Sequence, residues 1–157
     1  MHKLKNSWTL YAHLPHVVDW SIESYKVIMV INYLEDLIEL YRHLSNKLLH
    51  SCMLFIMKND IKPQWEDPKN IDGGSFSYKI TNKMIPAIWK DLSFLLIGET
   101  LIPNKCDIVN GITISPKKNF CIIKIWLSTC KYIDPKLVTY PKNLSPSGCI
   151  FKKHLTT

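Results

Sequence analysis

The sequence has no apolar run near the roughly 20 residues that a bilayer-spanning helix requires. Runs such as CMLFIM at 52–57 and FLLI at 94–97 are bounded by Ser51, Lys58 and Gly98. No membrane partner is expected. The opening MHKLKNSW has no apolar core of a secretion signal. The five cysteines (Cys52, Cys106, Cys121, Cys130, Cys149) are odd in number and never paired as CxxC, so neither a disulfide framework nor a zinc knuckle is signalled. A reducing cytoplasm is the expected compartment. HLPH at 13–16 lacks partner ligands at zinc spacing, and GGSFS at 73–77 lacks the lysine and spacing of a phosphate-cradling loop. Glu66 and Asp67 are adjacent on a loop and therefore diverge, with no histidine or cysteine beside them to complete a catalytic pair. The expectation is a non-catalytic protein without metal or cofactor.

What is present is 157 residues, 46% hydrophobic and 21% charged, which suits one globular domain over 1–157, expected to be monomeric. The formal charge of +7 calls for an anionic partner, most commonly nucleic acid. There is no repeat and no low-complexity tract.

Seven segments rich in β-branched and aromatic residues, 8–13, 26–31, 49–58, 75–81, 110–117, 120–128 and 148–154, are predicted strands bounded by Asn, Pro, Gly or Lys turns. Asn32-Tyr33-Leu34-Glu35 has a capping-box arrangement, and Leu34, Leu37, Ile38, Tyr41, Leu44 and Leu48 follow helical spacing. A second helix is predicted from Pro86 to a stop at Gly98, burying Trp89, Leu92 and Leu96. A short third one starts near Asp134-Pro135 and must break before Pro141. Strands in runs with helices at the connections predict an α+β fold: one antiparallel sheet with helices on one face. Its other face is then free.

Trp8 and Trp89 lie on apolar stripes and are assigned to the core. Trp20 in HVVDWS and Trp65 in KPQWED fall in loops beside acidic or polar residues, where packing is a less natural role. QWEDPKNIDGG at 64–74 thus puts an indole and two carboxylates together at a surface turn.

HKLKNSWTLY, the DWS loop, LEDLIELYRHL, IKPQWEDPKNIDGG, the helix end LIGET, and NGITISPK followed by IKIW occur in an order that resembles the messenger-RNA cap-binding family of translation initiation factor 4E. The likeness runs from His2 to about Trp126, with a looser tail. It implies a curved antiparallel sheet with helices on its convex back and a slot for 7-methylguanosine on its concave face. It further implies that Trp20 and Trp65 sandwich the base, that Glu66 reads its Watson–Crick edge, that Trp126 lies against the methyl group, and that Asp67 braces the loop. The ligand's chemistry is consistent with those residue types. Methylation at N7 leaves a delocalised positive charge, which indole faces hold by stacking and cation–π attraction. Guanine's two adjacent N–H donors match an ionised carboxylate.

The resemblance is imperfect on the phosphate side. The family's arginine nine residues before the strand tryptophan is Lys117 here, which keeps the charge and loses the donor fork. A family lysine four residues before that tryptophan falls on Ile122, and a basic position after the paired glycines falls on Ser75. SPKK supplies Lys118, while Lys124 shares the strand face of Trp126. Lys152 and Lys153 add charge in the tail. Lys117, Lys118 and Lys124 are the expected phosphate contacts.

On the convex back, the family docks a short helical motif shared by its scaffold subunit and by repressors. Here Ile38 takes the place of a helix tryptophan, and Lys3 and Lys90 replace a proline and an apolar residue. His2, Leu34, Ile38, Phe94 and Ile97 form the expected surface, suited to a divergent scaffold, with core packing as the other reading of the apolar patch Leu34, Ile38, Phe94 and Ile97. The resemblance implies an initiation factor, with a cap-sequestering repressor or decoy as the alternative.

Overall fold

The computed structural model describes residues 1–155. Seven strands, β1 (Lys3–His13), β2 (Tyr25–Tyr33), β3 (Met53–Lys58), β4 (Gly74–Thr81), β5 (Val109–Pro116), β6 (Phe120–Leu127) and β7 (Ile150–Lys153), form one sheet in the order β2-β1-β3-β5-β6-β4-β7. Neighbours pair antiparallel throughout. Register shifts in β1 against β2, between Lys3 and Trp8 and between Leu10 and Tyr11, and in β5 against β6 between Val109 and Gly111, bend the strands. The sheet is curved, with helices on its convex side.

Period-two alternation sorts each strand between two environments. Trp8, Leu10 and Ala12 of β1, Leu54 and Ile56 of β3, Ile112 and Ile114 of β5, and Ile123 and Ile125 of β6 join the core under the helices. The intervening Tyr11, Phe55, Met57 and Trp126 form a smaller apolar cluster on the opposite face. Trp8 and Trp89 are both in the main core, as their positions on apolar stripes predict.

Helix α1 (Leu34–His43) buries Leu37 and Leu40, and α3 (Ile85–Ile97) buries Ile88, Trp89, Leu92 and Leu96. The box at the start of α1 sits one residue later than expected: Tyr33 is the cap, and the Asp36 carboxylate accepts from the amides of Asn32 and Tyr33, both at 2.9 Å. Glu35 is thereby released to hold the amide and ring of His2. Leu48 does not continue α1. The chain breaks at Leu44, and Ser45 caps a separate short helix, α2 (Asn46–Ser51), by accepting from the Leu48 amide at 3.2 Å. The predicted strand 49–58 is therefore helical over its first residues, because a short apolar run does not by itself distinguish the two periods. Helix α3 stops at Gly98 as predicted, yet Gly98 is right-handed and the left-handed residue is Glu99, with φ of 59°. Near Asp134 only a single 3-10 turn, Pro135–Leu137, forms.

The paired glycines have a packing reason. A Cβ on Gly73 would lie 1.8 Å from the Leu127 carbonyl oxygen, and one on Gly74 would lie 2.5 Å from the Phe151 ring. The end of the 59–73 loop is thus pressed against β6 and β7 without a spacer, which fixes where the loop stands over the concave face. None of the helices among the described residues is long and apolar enough to cross a membrane.

Candidate functional site

Two loops overhang the concave face: the one after β1, which carries Trp20, and the one between β3 and β4, which carries Trp65 and Glu66. The second is held from within. Both oxygens of the Asp67 carboxylate are engaged, accepting from the amides of Lys62 and Lys69 at 2.8 Å each. The Asn70 side chain, fully buried, donates to the carbonyls of Lys62 and Gln64 and accepts from the Asn110 amide at 2.9 Å. Asp67 therefore serves the loop, and Glu66 is left exposed. Gln64 then joins the two loops, its side-chain amide donating to the Trp20 carbonyl at 3.0 Å. The Trp20 loop has its own clamp, in which the Asp19 carboxylate accepts from the amide and hydroxyl of Ser21. Those bonds hold Asp19 below the usual carboxylate range.

The loops enclose a cleft of about 480 Å³ lined by Trp20, Tyr25, Phe55, Trp65, Glu66 and Trp126, with Lys124 at its edge. Trp20 is 50% exposed and Trp65 44%, so two large apolar rings stand in solvent rather than in a core. Trp126 forms the inner wall. Its indole N–H donates to the Thr113 hydroxyl at 2.7 Å, and its ring lies 4.9 Å from that of His154. Burial first, and Glu66 second, push the Tyr25 hydroxyl up to about 12, so it stays protonated at neutral pH. The structure thus brings Trp20, Trp65, Glu66 and Trp126 around a single space.

A second cleft of about 140 Å³ opens beside it, sharing Phe55, Met53, Lys124 and Trp126 and adding Thr113, Ser115, Lys117 and Ile122. Lys124 is pushed below the usual lysine range by burial, and then by the positive charges of Lys152 and Lys117. Mutually repelling ammonium groups over a partly apolar floor favour an anion between them. Lys118 lies outside both clefts on the exposed hairpin turn. Ser75 is turned away to His154 at 2.6 Å, and Lys152 is its cross-strand partner on β7. Positive charge therefore stands one strand over from Ser75.

On the convex side, Leu34 and Phe94 are partly buried against the core and Ile38 is exposed. Ile97 is 2% exposed and belongs to the core, so it offers no surface. The reason is helical phase: Ile97 follows Trp89 by eight residues and points inward with it. Phe94 lines a cavity of about 580 Å³ with Lys90, Leu95, Tyr140 and Pro141, and Lys90 sits 5.9 Å from the Tyr41 ring centroid.

Sequence reading weighed His13 only within HLPH, as a metal ligand, and did not single out Tyr25, Met53 or Phe55. The signal available for Met53 and Phe55 was β3 itself, a strand apolar at consecutive positions and so in need of cover on both faces. Nothing local marks His13, whose place is set by the return of the Trp20 loop onto the end of β1.

A family model described as "Eukaryotic initiation factor 4E" matches residues 3–139. The chain is 29% identical over 140 residues to eukaryotic translation initiation factor 4E-2 of Schizosaccharomyces pombe, covering 85% of this chain and 56% of the relative. It is 28% identical over 136 residues to a translation initiation factor 4E homolog of Acanthamoeba polyphaga mimivirus, covering 72% and 50% respectively. It thus spans about half the length of these curated relatives. Among solved structures, a schistosome eIF4E complexed with m7GpppG and 4E-BP superposes with a TM-score of 0.73 at 26% identity, covering 83% of this chain and 74% of that one.

Asn70→Ala removes a buried amide that satisfies two loop carbonyls and Asn110, and is expected to cost about 1–3 kcal/mol. Denaturant unfolding should show that loss, and hydrogen exchange at 62–70 should accelerate more than in the sheet.

Proposed function

The chain belongs to the eukaryotic initiation factor 4E family, and on that premise we propose that it binds the 7-methylguanosine 5′ cap of messenger RNA and acts in translation initiation. The observation that carries the proposal is the pair of half-exposed indoles, Trp20 and Trp65, with an uncommitted carboxylate, Glu66, on the rim of one cleft. In this reading the methylated base enters between the two indoles, and Glu66 accepts from its two adjacent N–H groups. Trp126, fixed by its bond to Thr113, lies against the methyl group. The cap phosphates leave toward Lys117 and Lys124, with Lys118 on the neighbouring turn as an outer contact. Adenine lacks the paired donors, and unmethylated guanine lacks the charge that the indoles favour.

The protein is read as a binder rather than an enzyme. Asp67 has both oxygens engaged by loop amides, so Glu66 has no acid–base partner beside it. Relatives named as initiation factors favour that role over a cap-sequestering one, and the cytoplasm is the compartment where it would be exercised. The convex face is proposed as the docking surface for a divergent scaffold subunit through His2, Leu34, Ile38 and Phe94, the schistosome complex with 4E-BP providing the analogy.

Titration with 7-methylguanosine triphosphate should quench tryptophan fluorescence, and GTP should bind at least tenfold more weakly. Trp65→Ala and Glu66→Ala should each lower affinity about tenfold or more. Equal affinity for the methylated and plain nucleotides would refute the base sandwich. Affinity should also rise from monophosphate to triphosphate and fall with salt, and Lys117→Ala or Lys124→Ala should each reduce the log–log salt slope by about 0.7. On the back, Ile38→Trp with Lys90→Leu should strengthen binding of a helical peptide bearing the family's tyrosine-and-leucine motif about tenfold by calorimetry, since an indole supplies the contact area of a typical hot spot. Cap affinity should be unchanged in that variant.

A further inference from the structure

The Trp20 indole has one face already occupied. The His13 imidazole lies against it with ring centroids 3.7 Å apart and planes 5° from parallel. His13 is 2% exposed, and its ring nitrogen Nε2 is 2.8 Å from the Asp19 carbonyl oxygen. A carbonyl only accepts, so Nε2 carries a proton and Nδ1 is the nitrogen that gains or loses one. The Tyr25 ring closes the edge of the stack, 5.1 Å from His13 and 6.3 Å from Trp20. The cleft that Trp20 shares with Trp65 is not lined by His13. The open face of the indole therefore looks into the cleft, with the imidazole behind it.

We propose that His13 is a positioning residue for Trp20, holding the indole for the ligand, and that its charge state tunes capture of a cationic base. The inference rests on the cap-binding reading above. His13 acts twice on the Trp20 loop: its ring supports the indole, and its Nε2–H fixes the carbonyl of the preceding residue. Imidazole is also the side chain whose charge ordinarily changes between pH 5 and 8. When Nδ1 is protonated, one indole carries a cation on each face once the methylated base is in place. Those charges are about 7 Å apart, two stacking distances, and both draw on the same π system.

The groups facing His13 are few. Asp19 is held ionised by its bonds to Ser21, Tyr25 is held neutral by burial, and His16 and Lys117 line the cavity on the far side of the stack, while the β3 partner is Met53. The sign follows from linkage. A bound cation disfavours protonated His13, so affinity is full where His13 is neutral and lower where it is protonated. A neutral aromatic in the same place would hold the indole without this dependence.

The test compares the affinity of wild type and His13→Phe for 7-methylguanosine triphosphate from pH 8 to pH 5.5. The ligand's own titration is common to both proteins and cancels in their ratio. The wild-type to variant ratio should fall about three- to fivefold over that range, and His16→Gln, which removes the other imidazole of that cavity, should keep the wild-type profile. In unmodified protein, the His13 ring resonances should titrate at lower pH when the nucleotide is bound, a measurement that needs no variant. A flat ratio, or an unmoved His13 titration in protein that binds the nucleotide, would overturn the inference while leaving the cap reading intact. Failure of both proteins to bind at pH 8 would instead remove the cap reading and this inference with it.

Discussion

A single sheet covered by helices on one side only must give its two faces different compositions, and the rest of this structure depends on that constraint. Each strand contributes to both faces with a period of two, so the residues that seal the core fix which residues meet the ligand. In β6, Ile123 and Ile125 are buried under the helices, and that alone sends Ile122, Lys124 and Trp126 to the concave side. A one-residue slip would exchange the two sets. The site is therefore registered by the core, not by contacts within the site.

What the sheet cannot supply is an overhang. A flat aromatic ligand needs rings that rise above the concave face, and these must come from loops, which are mobile unless tied. The 59–73 loop answers with a polar set, the half-buried Asp67 and the buried Asn70 and Asn110, that replaces the hydrogen bonds of regular structure with side-chain ones. The arrangement divides labour between neighbouring carboxylates: Asp67 is engaged in the scaffold, and Glu66 is left free.

Much of this was legible in the sequence. All seven strands were marked by β-branched runs, and α3 by its proline start and glycine stop, because those signals are local. Trp20 and Trp65 stood out because a large apolar residue beside acids in a turn contradicts the usual burial pattern. The misses have a common origin in ambiguity of period or phase. Leu49 and His50 are compatible with either helix or strand until Ser45 is seen to cap the former, and Ile97 looked like surface until its turn relative to Trp89 was fixed. His13 was weighed only as a metal ligand, because its stack on Trp20 arises from a loop folding back onto β1, which no window of alternating residues encodes. Lys152 gained its place through pairing of β7 with β4, again a long-range event.

The bond from Gln64 to the Trp20 carbonyl spans 44 positions of sequence and joins the two jaws of the cleft directly. Because it runs from the Gln64 side chain to the Trp20 backbone and not through either indole, it sets the gap between the loops while Trp20 rests on His13 and the Trp65 ring stays free to turn about its side-chain torsions. Opening becomes a matter of Trp65 ring rotation, on the picosecond-to-nanosecond scale of exposed side chains, in place of slower loop displacement. A visitor to such a site meets jaws already at working distance, so the ordering of the loops is completed during folding. Residence time is then governed by how firmly the rings clasp, and arrival by diffusion and charge.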